Sequence, residues 1–172
     1  MKNIYLYPLV LCLLLLAGCG DGRKEPAGSG KISPEQLTEI NRQLQIKDRE
    51  RIIRYIERKG LDMKETGTGL WVSASAAGTG RISEGSRVRI EYTCSLLDGT
   101  VIYSSDEDGM MSFELGRSDV PAGLNEGVKL LDEGSEAILI LPSYMAYGLL
   151  GDDKKVPSRA VLVYDIKVVE VN

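Results

Sequence analysis

The sequence predicts an α+β fold: an antiparallel sheet with one short helix inserted between its strands, preceded by a separate charged helix. Three observations carry this. Arg87-Val-Arg-Ile-Glu-Tyr-Thr93 alternates strictly, with Val88, Ile90 and Tyr92 on one face, as a half-buried antiparallel strand requires. Asp98-Gly99 follows as a hairpin turn, and Thr100 to Tyr103 returns. Between Pro121 and Leu131 the period changes: Leu124, Val128 and Leu131 are spaced for a short amphipathic helix.

The chain begins differently. Lys2 is followed by an almost wholly apolar run from Ile4 to Ala17. That run is shorter than the ~20 residues a membrane-spanning helix needs, and has the length of a signal-peptide core. Leu16-Ala17-Gly18-Cys19 closes it. Gly20 to Lys31 is rich in glycine and charge, with too little apolar surface to fold, and reads as a flexible tether. The expected organisation is a signal peptide over 1–18, a tether over 19–32, a charged helix over 33–60, a linker with a first strand over 61–84, and the main domain over 85–172.

Ser33-Pro34-Glu35-Gln36 starts the charged helix: serine caps, proline takes the first helical position, and glutamine three residues on completes a capping box. Leu37, Ile40 and Leu44, then Ile52, Ile53 and Ile56, give a narrow apolar stripe, and Gly60 is the stop. The stripe either packs on the body of its own chain or pairs two copies through residues 34–59. Leu70 to Ala74 reads as a first strand, followed by turns at Ala77 to Gly80 and Glu84-Gly85.

Beyond the hairpin, Met111-Ser-Phe-Glu-Leu115 alternates again and Gly116 ends it. After the short helix, Gly134 turns the chain into the apolar strand Ala137 to Leu141. Pro142 stops that strand, since proline has no amide hydrogen for a ladder, and Tyr144 and Tyr147 are delivered into a loop. The strand Ala160 to Val171 ends the chain with Leu162, Tyr164, Ile166 and Val168 on one face.

The 172 residues hold 21 basic and 25 acidic side chains and no histidine. Serine–histidine and cysteine–histidine hydrolases are excluded, and the commonest metal ligand and general base are missing. No cofactor or metal is expected. With no basic stretch, nucleic acid is not an expected partner. Of Cys12, Cys19 and Cys94, only Cys94 lies in the main domain, mid-strand, where a buried apolar role is expected.

Two resemblances add to this reading. Leu16-Ala17-Gly18-Cys19 resembles the lipobox of bacterial lipoproteins, which implies cleavage before Cys19 and a lipid on it. The stretch from Gly85 to Val171 resembles the FKBP-type peptidyl-prolyl isomerases. The matching pieces are Val88-x-Ile90-x-Tyr92, Leu97-Asp98-Gly99, Tyr103-Ser104-Ser105, Phe113-x-Leu115-Gly116, Gly123-x-x-x-Gly127, Leu141-Pro142, Ala146-Tyr147-Gly148 and Val156-Pro157-x-x-Ala160-x-Leu162. The family fold is a twisted antiparallel β-sheet wrapped around a short α-helix. With its lipobox and charged leader the chain looks most like the FKBP-type lipoproteins, some of them linked to gliding motility. The resemblance implies an enzyme that assists folding of exported proteins and binds proline-containing polypeptides. It also implies a lipid-anchored place at the bacterial envelope, on the periplasmic face of the inner or outer membrane.

The family chemistry suits a chain without histidine. Rotation about an X–Pro bond meets a resonance barrier of about 18–20 kcal/mol. No proton need move and no bond breaks. A dry apolar pocket that favours the twisted amide suffices, and lowering the barrier by about 8 kcal/mol gives roughly a millionfold. The resemblance lines this pocket with Tyr92, Tyr103, Met111, Val120, Leu124, Tyr147, Val156 and Tyr164, and makes Tyr147 the tyrosine that bonds the ligand. It also marks three departures. Ser104 stands where active members carry aspartate. Leu124 replaces the tryptophan floor. Pro121 stands where a backbone amide is donated to the ligand, and proline has none.

Overall fold

The computed structural model describes residues 33–73, 82–117 and 120–172. The expected signal peptide, tether, Cys19 and the turn at Ala77–Gly80 lie outside the described residues. The chain divides into two units, Met1–Gln36 and Leu37–Asn172, and the described elements lie almost wholly in the second. In the first, Ser33 and Gln36 form the capping box: the Gln36 amide donates to Ser33 Oγ at 3.2 Å and the Ser33 amide to Gln36 Oε1 at 2.9 Å.

The described elements run in the order α1 (Pro34–Lys59), β1 (Met63–Glu65), β2 (Trp71–Ser73), β3 (Arg87–Leu96), β4 (Val101–Ser104), α2 (Ser105–Asp108), β5 (Met111–Glu114), α3 (Ala122–Val128), β6 (Glu136–Leu141), a 3-10 turn (Ser143–Met145) and β7 (Leu162–Val171). The strands form one antiparallel sheet in the order β1-β2-β6-β7-β3-β4, with β5 also paired to β3. The long strands β3 and β7 pair over almost their whole length and form its spine. The first strand, β2, belongs to the sheet and pairs with β6, and the unforeseen β1 pairs with β2.

Alternation along the strands divides the core in two. Leu139, Leu141, Leu162, Tyr164, Ile166 and Val168 point to the face that carries α3. Ile138, Ile140, Val161 and Val163 point the other way, and Ile52 and Tyr55 of α1 cover them. The second half of the α1 stripe therefore packs on the body of its own chain. Leu37 and Ile40, in the first half, remain 47% and 46% exposed.

The two helices meet the sheet by different means. In α3, a Cβ on Gly123 would lie 2.5 Å from Leu141 Cγ, and one on Gly127 would lie 2.4 Å from Leu139 Cδ1. The Gly-x-x-x-Gly spacing puts both on one helical face and lets the backbone lie directly on β6. On the other face Asp48, only 1% exposed, enters the interface and accepts from the Ser143 amide at 3.0 Å and Ser143 Oγ at 2.5 Å. This carboxylate closes the amide end of the 3-10 turn that follows Pro142. Arg49 adds a two-pronged contact to Glu65, with Nε and Nη2 at 2.9 and 2.8 Å.

Candidate functional site

The inner face brings most of the expected pocket residues together. Tyr92 (β3), Leu124 (α3), Val156 (the loop before β7) and Tyr164 (β7) are buried members of one core, and Tyr103, Met111, Val120 and Tyr147 are half-buried against it. Leu124 and Tyr164 are completely covered, at 0% and 1% exposure. The base of the site is thus closed by the chain's own side chains. The surface open to a visitor is the half-buried set above it.

Three tyrosines converge here. The Tyr92 and Tyr164 rings lie 6.3 Å apart, tilted by 33°. Burial pushes the Tyr164 hydroxyl well above the ordinary phenol value, and Cys94 and Tyr147 push it the same way. Tyr147 and Tyr92 are also raised, first by burial. All three hydroxyls therefore stay protonated at neutral pH, and the covered Tyr164 bonds to Cys94 and Tyr147. Cys94 sits among them, its thiol raised to about 11 by burial. Tyr92 is held in place through its backbone, whose amide donates to Ser105 Oγ at 2.7 Å.

Tyr103 and Ser104 separate. Cys94 pairs with Tyr103 and Thr93 with Ser104, and the register then shifts so that Ser95 pairs with Val101. Tyr103 shares the inner face with Cys94, and Ile102, the extra residue at the shift, is buried. Ser104 shares Thr93's outward face and caps α2, its Oγ accepting from the Glu107 amide at 3.4 Å. Ser104 thus serves the helix cap. Pro121 is buried and caps α3 through its carbonyl, which accepts from Leu124 and Asn125 at 3.0 and 3.1 Å. Tyr144 and Tyr147 also part: the Tyr144 hydroxyl donates to the Thr68 carbonyl at 2.9 Å, away from the site.

One polar residue of the site escaped the sequence reading. The Tyr103 hydroxyl donates to Asp152, whose other oxygen accepts the amides of Lys154 at 3.0 Å and Val156 at 2.7 Å. Burial opposes ionisation of Asp152, but the hydrogen bonds from Tyr103 and the loop amides outweigh it and hold the carboxyl below its ordinary value. The same contact pushes Tyr103 up to about 12. Lys155 lies over the Tyr103 ring, its Nζ 5.0 Å from the centroid. Asp152 therefore ties the loop carrying Val156 to β4. The available signal was Gly151-Asp152, an aspartate placed to bond amides two and four residues on. Gly151 has φ +85°, and a Cβ there would meet the Val156 carbonyl at 2.2 Å.

The model of the FKBP-type peptidyl-prolyl cis-trans isomerase family matches residues 78–169, more than half of the chain. A protein described as a probable FKBP-type peptidyl-prolyl cis-trans isomerase, FkpA, of Neisseria meningitidis is 39% identical over 111 residues, 63% of this chain and 40% of that protein. One of Haemophilus influenzae, similarly described, is 33% identical over 116 residues, 66% of this chain and 47% of its own length. The chain spans less than half the length of these two relatives. Among solved structures, FkpA of Escherichia coli superposes with a TM-score of 0.60 at 23% identity, over 83% of this chain and 75% of that one. A peptidyl-prolyl isomerase of Pseudomonas syringae gives 0.62 at 22%, over 83% and 99%. These likenesses bear out the expected fold. The extent of the family match, with the sheet and its inner helix, makes the chain a member of the FKBP-type peptidyl-prolyl cis-trans isomerase family.

Proposed function

We infer that the chain catalyses cis–trans isomerisation of X–Pro bonds in exported polypeptides. The observation that carries this is that Tyr103, Met111, Val120 and Tyr147 pack half-buried against the core that holds Leu124 and Tyr164. A proline ring laid there loses water, and the amide before it loses the solvent that stabilises its planar, more polar form. Tyr147, protonated and half-buried, donates to a carbonyl beside the twisting bond. Tyr92, Val156 and Tyr164 hold this surface from beneath and from the side.

A second reading, a proline-peptide binder or chaperone with little turnover, draws on the three departures. Pro121 offers no amide, Leu124 is fully covered rather than a broad open floor, and Ser104 is used as a helix cap. Magnetisation-transfer NMR on a short proline peptide separates the readings. Exchange sped by the protein and slowed about tenfold by Tyr147→Phe supports the enzyme. An unchanged rate at high protein concentration, with the peptide still bound, leaves only the binder.

The lipoprotein form, of the kind that includes the gliding-motility lipoproteins, is proposed from Leu16 to Cys19 and the tether-like composition of residues 19–32. Detergent partitioning tests it: Cys19→Ala moves the protein to the aqueous phase if Cys19 carries the lipid, and leaves it in the detergent phase if not. Pairing of two copies through residues 34–59 would rest on Leu37 and Ile40, since Ile52 and Tyr55 are already covered.

A further inference from the structure

On the outer face, α1, the β3–β4 hairpin and the segment before β7 enclose a groove of about 830 Å³. Arg51, Arg54, Arg58 and Arg159 line it, against one carboxylate, Asp98. In a chain of net charge -4 this is a local reversal of sign. Arg51 and Arg54 are only loosely engaged, while Arg58 also lies over the Tyr55 ring, 5.5 Å from its centroid. Arg51 lies 3.6 Å from Asp48, whose other oxygen serves Ser143, and Arg54 lies 3.8 Å from Glu50. Arg58 donates to the Leu97 carbonyl at 3.0 Å. The Asp98 carboxylate accepts the Thr100 amide at 2.9 Å within its own turn.

Arg159 adds an independent sign. Its φ is +57°, in the left-handed region where glycine or asparagine is at ease and a long side chain is not. Its amide donates to the Gly148 carbonyl at 3.0 Å, which fixes this backbone. An arginine kept in a conformation that disfavours it is accounted for if its guanidinium has a task. One segment serves both faces: Pro157 lines the groove and follows Val156, which lies in the core beneath the site.

We propose that the four-arginine groove is an extended subsite for acidic segments of polypeptide substrates, so that the protein prefers X–Pro bonds flanked by aspartate or glutamate. The proposal rests on the isomerase reading for its catalytic consequence, but its binding consequence stands apart. Guanidinium forks match carboxylates two-pronged, and Arg51, Arg54 and Arg58 recur along one helical face over about 10 Å, the reach of a few extended residues.

The test uses the full chain and three short peptides with a central Ala-Pro, flanked on both sides by glutamate, glutamine or lysine. A fourth, glutamate-rich and proline-free, is followed by fluorescence anisotropy. The glutamate peptide is expected to exceed the lysine peptide about tenfold in kcat/KM at low salt, with the glutamine peptide between and the gap narrowing at high salt. Arg54→Gln with Arg159→Asn brings the ratio within about twofold, leaves the glutamine peptide's turnover unchanged and weakens the proline-free peptide. Asn suits the left-handed backbone, so a lost preference in a variant at least as stable as the parent is not a folding defect. Turnover of the glutamine peptide with no charge preference overturns the groove and spares the isomerase. Arginine-dependent binding of the proline-free peptide with no turnover of any peptide does the reverse. Arginine-dependent flotation on phosphatidylglycerol vesicles, with peptide binding untouched by the substitutions, assigns the groove to lipid and overturns the proposal.

Discussion

The inner helix α3 has seven residues and touches the sheet through two glycines, whereas the outer helix α1 has 26 and touches it through Ile52, Tyr55 and a buried aspartate. Both cover one sheet, yet they solve different problems. Where α3 lies, the backbone rests directly on β6, and Tyr103, Met111, Val120 and Tyr147 pack half-buried against the same core. Where α1 lies, the helix is highly charged and a few apolar side chains do the covering, so a polar contact fixes its position. Asp48 against the Ser143 turn supplies that position. The inner contact is set by shape and the outer one by a hydrogen-bonded charge. Substitutions on the two sides should therefore fail differently.

The largest effect is expected from Asp48→Ala. It removes two charge-assisted hydrogen bonds and leaves the Ser143 amide buried without a partner, a loss of about 2–4 kcal/mol. Urea unfolding measures it, and a change under ~1 kcal/mol would show that α1 is held by its apolar residues alone. Gly127→Ala is expected to cost about 1–3 kcal/mol by forcing Leu139 aside, more than the ~1 kcal/mol that alanine's helix preference returns. A stabilised Gly127→Ala would mean that the inner contact has slack and that shape does not set it.

The smallest effect is local and depends on pH. Asp152 has its carboxyl held below the ordinary value, so its contribution is present above about pH 4, where an unfolded aspartate is ionised, and is lost as pH falls through the lower folded value. Amide exchange at Lys154 and Val156 should quicken on acidification in the parent. In Asp152→Asn the fast exchange should already be present at neutral pH, with no acid step. An acid step that survives the substitution would assign the loop's closure to another group.

Much of this fold was legible because it rests on period and punctuation. The alternation from Arg87 to Thr93, the Asp98-Gly99 turn and the stop at Pro142 each answer to one local rule, and each appears where expected. What stayed hidden was non-local. Met63–Glu65 has three residues and no period to read. Asp48 sits within Lys47-Asp-Arg-Glu-Arg51, which reads as a solvated run, and only Ser143, 95 residues on, reveals that it is covered. The facing of β4 turned on one extra residue at Ile102: a single-residue shift inverts which side chains meet the core, and motif order alone cannot register it. The same holds for Asp152, whose use depends on where Tyr103 points.

Cys94 lies fully buried among the tyrosines, its thiol raised to about 11. At neutral pH only about one molecule in ten thousand carries the thiolate, and that one is walled off from solvent. Where disulfides form readily, a thiol so covered would be a poor partner for a mixed disulfide. Cys94 would hold its place in this domain as a buried side chain, by packing.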